Sequence, residues 1–180
     1  MVTRAHSSVN PLTLWGLAGT VKFMPETCTI RPARSGDETT IKALIRAERL
    51  DPFNVHWQNF LVAEDADAGR IIGIGQVKPY HSGRELGSLV VVSDRRQSGV
   101  GGAIICALIE RERGPLLLFC LAFREPYYAR FGFKRCGLRD LPGEFKWKYA
   151  VGVVFTRLVG RRLVVMQRPG AFQVGGEFAS

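Results

Sequence analysis

The chain reads as an α/β protein, a single domain built on a mixed sheet of about six to seven strands flanked by helices. Three observations lead there. With 180 residues, 46% of them hydrophobic and 23% charged, the chain is long enough for one continuous core and ordinary in composition for a soluble globular protein. Two strand-like runs, Phe60 to Ala63 and Ile71 to Val77, are separated by the turn-forming stretch Asp65 to Arg70 and should pair as an antiparallel hairpin. Further on, Leu86 to Val92, a helical stretch from about Gly101 to Arg113 and the apolar run Leu116 to Leu121 form strand, helix, strand. A crossover of that length implies a parallel pair with a right-handed connection, so the sheet is mixed.

The elements follow in order. Cys28 to Arg31 has strand composition, and Asp37 to Glu48 has Ile41, Leu44 and Ile45 at helical spacing, with Ser35 or Asp37 available as cap and Asp51-Pro52 as stop. In the crossover helix Ile104, Ile105, Leu108 and Ile109 form the buried stripe, and Gly114-Pro115 marks its end. Phe145 to Val159 mixes helical spacing with β-branched residues; we assign it as helix. Leu163 to Gln167 is a closing strand, ended by Pro169-Gly170. The domain is expected over residues 27–169, with residues 1–26 as a mobile N-terminal extension and 170–180 as a frayed tail. The extension resembles an organelle transit segment only faintly, since it holds Arg4 and Lys22 but no clear amphipathic face.

Composition narrows the function. No apolar stretch approaches the roughly 20 residues that span a bilayer, which argues against a membrane partner. Cys28, Cys106, Cys120 and Cys136 are widely spaced, without a C-x-x-C or a histidine pair. Free thiols in a reducing cytoplasm are expected, and no metal. A formal net charge of +9 raises the idea of a nucleic-acid partner, but the basic residues are spread along the chain and no recognition motif accompanies them.

The most informative stretch is Val90 to Gly102, Val-Val-Val-Ser-Asp-Arg-Arg-Gln-Ser-Gly-Val-Gly-Gly. An apolar strand breaks there into a basic, glycine-rich turn and then enters a helix. Gly99, Gly101 and Gly102 leave backbone N–H groups uncovered, and the helix that follows points its positive end at the same place. This is a seat for phosphate. It matches neither the P-loop nor the dinucleotide fingerprint, because no G-x-x-x-x-G-K-[ST] is present and Ile104 stands where a third small residue is required.

Arg96-x-x-Gly99-x-Gly101 resembles the (Gln/Arg)-x-x-Gly-x-(Gly/Ala) signature of the GNAT N-acetyltransferases, and Pro126-Tyr-Tyr-Ala-Arg-Phe-Gly-Phe133 resembles that family's late helix and following Gly-Phe. The two motifs come in order at the family's separation. The resemblance covers roughly Cys28 to Phe133 and, more loosely, the closing strand. It implies the acyl-CoA N-acyltransferase fold and acetyl-CoA as cosubstrate. Arg96, Gln97, Ser98, Gly99, Val100, Gly101 and Gly102 would hold the pyrophosphate, and the backbone of Val90, Val91 and Val92 the pantetheine arm. Tyr128, four residues before Gly132, is implied as general acid toward the departing thiolate. Where the family often has Asn and a small residue, Leu121 and Arg124 stand here, so contacts at that edge differ.

Acetyl transfer to an amine also needs a proton acceptor, because a lysine-like amine of pKa ~10.4 is about one part in a thousand neutral at pH 7. Glu85, which opens the strand leading to the thioester, is the candidate base, with Glu64, His56 and His81 in reserve; a surface ion pair with Arg84 or another cation is the equal alternative for Glu85. The expected activity is direct transfer of acetyl from acetyl-CoA to a primary amine of a small molecule or protein. Two rivals stand beside it: a non-catalytic acyl-CoA sensor and a basic nucleic-acid adaptor. The sequence names neither the acceptor amine nor the oligomeric state, a homodimer included.

Overall fold

The computed structural model describes residues 28–158 and 160–170. The proposed extension (1–26) and all but the first residue of the proposed tail lie outside them. A seven-stranded sheet runs through the molecule in the order β1-β2-β3-β4-β5-β7-β6. Its strands are β1 (Cys28–Pro32), β2 (Phe60–Asp65), β3 (Ile71–Tyr80), β4 (Gly83–Val91), β5 (Leu116–Leu121), β6 (Lys134–Arg135) and β7 (Leu163–Arg168). Among the described residues four α-helices accompany them, α1 (Glu38–Ala47), α2 (Val100–Glu112), α3 (Glu125–Ala129) and α4 (Gly143–Leu158). No helix among the described residues is long and apolar enough to cross a membrane.

The expected hairpin β2–β3 forms, with Leu61 opposite Gly75. The sequence reading underestimated β3 and β4: they run to Tyr80 and begin at Gly83, and pair as a second hairpin with Lys78 opposite Glu85. Phe133, the last residue of the late motif, is a fully buried plug just before the two-residue β6. The ambiguous stretch after Pro142 is a helix, as assigned.

Register sorts side chains into two faces, because directly opposed residues point to the same side. One face, carrying Leu61, Ala63, Val77, Leu86, Leu116, Leu118 and Met166, packs against Val100, Ile104, Ile105 and Leu108 of α2. Two glycines of β3 permit this approach. A Cβ on Gly73 would lie 2.9 Å from Ile104 Cδ1, and one on Gly75 2.7 Å from Ile104 Cγ2. The opposite face is shared. α1 covers its β1–β4 half with Ile41 and Ile45 against Phe60, Val62, Ile74 and Val90, and Phe145 of α4 covers the other half against Leu117 and Val165.

Among the described residues β4 and β5 are the only parallel neighbours, joined at a single register position, Glu85 with Leu117. Both strands continue past it without pairing, to Val91 and Leu121, so a gap opens at their carboxyl ends. Such gaps in open α/β sheets are where ligands lodge.

Candidate active site

The glycine-rich loop sits at the end of β4, beside this gap. Val92 is tied to β3 by its N–H to Ile72 O (3.0 Å), then a short 3₁₀ turn, Ser93–Arg95, leads into Arg96 and the loop. Gln97 (φ 66°) and Gly99 (φ 89°) both take left-handed backbone, and Gly99 caps α2 without any side-chain hydrogen bond. The first N–H groups of a 13-residue helix therefore face outward uncapped. A Cβ on Gly101 would lie 2.9 Å from Tyr127 Oη and 3.4 Å from Val91 Cγ2, so no other residue fits there without displacing a neighbour. These backbone donors suit a pyrophosphate.

The two arginines of the loop divide their work. Arg95 is turned inward, its guanidinium 2.7 Å from Asp65 Oδ2 with a buried Nε that has no partner, and it fastens the loop to the β2–β3 turn. Arg96 is exposed, with Nε donating to Val91 O (3.2 Å) and a terminal nitrogen 2.6 Å from Glu48. An exposed pair of this kind contributes about 0–1 kcal/mol, so the guanidinium is released at little cost to an anionic ligand. Ser98 Oγ donates to Arg95 O (2.6 Å), a turn contact that does not point it at a ligand.

Val90 faces the α1 side, whereas Val91 and Val92 pack toward α2. The strand is broken between them and Glu85. Ile74 pairs with Val90 but Gln76 with Gly87, leaving a bulge at Ser88 and Leu89 in which Ser88 has φ 51°. A bulge re-aims backbone groups that a regular ladder would use up.

On the α2 face of the gap lies Tyr128. Its ring meets Phe133 edge-on at 6.3 Å and Tyr127 at 5.2 Å. Burial, reinforced by neighbouring Cys120, pushes its phenol well above the ordinary tyrosine range, so it stays protonated. Cys120, buried between strands, has its thiol pushed up to about 11 by burial and lies 3.8 Å from Met166 Sδ, which makes it inert as a nucleophile at neutral pH. Tyr127, which the sequence left without a role, holds its hydroxyl over the first turn of α2.

The opposite face carries a charged cluster that the sequence reading largely missed. Glu85 is buried, and its Oε2 accepts from Lys148 Nζ at 2.6 Å. Of the ion pairs expected as the alternative role of Glu85, the one with another cation forms, with Lys148, and the one with Arg84 does not; Arg84 pairs with Glu112 instead. Lys78, 1% exposed, donates to Asp51 Oδ2 (2.9 Å) and Phe53 O (2.7 Å), and Lys148 also reaches Asp51 (3.2 Å) and Tyr80 Oη (2.9 Å). Burial works against the Lys148 ammonium, but Glu85 and Tyr80 outweigh it and hold its pKa above the ordinary lysine range. Of the reserve bases, Glu64 is engaged by Arg31, and His56 and His81 are exposed. The signal that would have found Lys78 is Gln76-Val77-Lys78, two polar residues on one face of an otherwise apolar strand.

Among the described residues no group of three or more His, Cys, Asp or Glu is placed to hold a metal ion. Residues 56–135 match the family model for the acetyltransferase (GNAT) domain, a span that takes in the loop, the gap and Tyr128. Over that stretch, which is under half of the chain, the sequence is similar to the GNAT acetyltransferase domain. No curated protein sequence matches the chain. Among solved structures it is similar to N-acetylglutamate synthase from Neisseria gonorrhoeae complexed with coenzyme A and L-arginine, at 21% identity and TM-score 0.64, over 81% of this chain and 34% of that one. The chain thus spans about a third of that synthase's length. It is also similar to Rv2747 from Mycobacterium tuberculosis, in complex with CoA (20% identity, TM-score 0.60, 79% of this chain and 99% of that one). Ard1 from Thermoplasma volcanium gives 15% identity and TM-score 0.57 over 81% of this chain and 99% of that one. These likenesses are of fold.

Proposed function

We propose that the chain is an acetyl-CoA-dependent N-acetyltransferase that passes acetyl directly to a primary amine of a small molecule or protein. The observation that carries this is the gap between β4 and β5. The uncapped start of α2 stands at its rim, Tyr128 lies on one face of the sheet, and Glu85 lies on the other. Acetyl-CoA, bound through its pyrophosphate at Gly99 to Gly102 and through its pantetheine arm along Val90 to Val92, supplies an activated acyl carbon in the gap. The acceptor approaches from the side of Glu85. A nitrogen–carbon bond forms as the carbon–sulfur bond breaks; one proton leaves nitrogen and one arrives at sulfur.

Glu85 Oε2 is already held by Lys148, so Oε1 is the atom that takes the amine proton. Backbone N–H groups at the Ser88–Leu89 bulge, where the ladder shifts register, would meet charge building on the carbonyl oxygen. Tyr128 gives its hydroxyl proton to the departing sulfur and is reprotonated from solvent before the next turnover. Cys120 stays out of the chemistry, which supports a ternary complex without an acyl-enzyme.

The test is incubation with acetyl-CoA and a panel of amines while free thiol is followed. Thiol release that depends on both enzyme and amine is expected. Tight binding of acetyl-CoA with no release across a broad panel would favour an acyl-CoA sensor instead.

A further inference from the structure

Helix α4 is apolar on two faces, and the sheet covers one of them. Phe145, Lys148, Tyr149 and Gly152 fall on the inner face: Phe145 is fully buried, Lys148 reaches Glu85, and a Cβ on Gly152 would lie 2.8 Å from Leu163 Cδ2. Trp147, Ala150, Val151 and Val154 repeat that spacing two residues out of phase, about 200° round the helix. This outer face is bare. Trp147 is 74% exposed, Val154 63% and Val151 48%, and Ala150 is exposed beside them. The outward side of a helix ordinarily carries polar and charged residues, so a row of three large apolar side chains marks a surface that a partner covers.

The charge around this row is one-sided. Residues 134–162 hold eight lysines and arginines against two acids. Lys146, next to Trp147, is exposed, as are Lys134, Arg139, Arg161 and Arg162 on the segments that lead into and out of the helix, and none of the five side chains is in a salt bridge among the described residues. Glu144, the one acid of α4, is taken up by the β3–β4 turn, where it accepts from the N–H (3.3 Å) and Oγ (3.1 Å) of Ser82.

An apolar row rimmed by cations fits a surface that is anionic outside and apolar just beneath. Anionic headgroups over acyl chains make such a surface, and tryptophan is a side chain that settles at that boundary. A second copy would set its own formal charge of +9 against these cations, and a nucleic acid offers nothing apolar to Val151 and Val154. We propose that α4 lies flat in the surface of an anionic bilayer, with Trp147, Val151 and Val154 among the acyl chains and Lys146 and the flanking arginines at the headgroups. Its 16 residues are too few to cross a bilayer, and the lack of a spanning helix among the described residues bears on crossing alone. The proposal stands apart from the acetyltransferase reading.

The test is cosedimentation of the full chain with vesicles of phosphatidylcholine alone and with vesicles of phosphatidylcholine and phosphatidylserine in equal parts. The mixed vesicles should be bound about tenfold or more tightly than the neutral ones, with the difference shrinking as salt is added. Trp147→Ser combined with Val151→Ser removes most of the row from an exposed face. It should keep the parent's Tm and lose about tenfold or more in affinity for the mixed vesicles. Lys146→Glu should also weaken binding to the mixed vesicles. Equal binding of the parent to both vesicles, binding to neither, or undiminished binding by the folded double variant overturns the proposal. If the double variant fails to fold, unchanged binding by Lys146→Glu overturns it. A parent that is dimeric without vesicles and a double variant that is monomeric overturn it too, and give the face to a second copy.

Discussion

Single residues at the rim of the gap separate binding from fold. Gly101→Val would drive a branched side chain into Tyr127 Oη and Val91 Cγ2, both within 3.4 Å of the first added carbon, and push the backbone away from the pyrophosphate. Acetyl-CoA affinity should fall at least tenfold by calorimetry. Gly102→Ala controls for folding, because its Cβ meets only the edge of Phe131 at 3.4 Å; it should fold as the parent does. The glycines and Tyr128 were legible as motif residues because backbone approach and register leave a local trace. The partners of Glu85 were not. Lys148 lies 63 positions away in sequence and Asp51 reaches Lys78 across 27, so only the folded sheet brings them together.

At the scale of elements, the fit of α2 onto β3 leaves no room for a side chain at Gly73 or Gly75. Gly75→Ala would place a methyl 2.7 Å from Ile104 Cγ2 and 3.2 Å from Leu108 Cδ1. Overpacking of this kind costs about 1–3 kcal/mol, to be read as a lower denaturation midpoint at unchanged slope. Strands β2, β5 and β7 and helix α2 could be read from the sequence to within a residue or two, since each has an uninterrupted apolar pattern. The turn between β3 and β4 escaped notice because Pro79, His81 and Ser82 resemble a loop, and the extended hairpin is visible only in the ladder from Gln76–Gly87 to Tyr80–Gly83. Helix α4 was ambiguous for a physical reason. Trp147, Val151 and Val154 are exposed on it, so its outward face is as apolar as its inward one and the period is blurred.

For the whole molecule, charge placement sets a pH window. Arg31 is the leading influence that holds Asp37 below the ordinary carboxylate range, and the Ala68 and Asp67 N–H groups do the same for Asp65. Burial pushes Asp51 up, but the Phe53 N–H and Lys78 outweigh it and leave it lowered too. Such groups bind protons more readily when unfolded, so their stabilisation is present above about pH 4 and is lost as pH falls through their depressed native values. Lys148 has the opposite sign: its raised pKa stabilises the fold below the unfolded lysine value of about 10.4, and that stabilisation fades above it. Tm should therefore hold across neutral pH and drop at both ends. In the proposed reaction the gap separates a proton donor on one face from the amine on the other, and a single oxygen tests that division. Tyr128→Phe keeps the ring against Phe133 and removes the donor. Calorimetry and thiol release on this variant should show acetyl-CoA affinity nearly unchanged and turnover reduced by roughly a hundredfold or more. Turnover equal to that of an active parent would contradict the account.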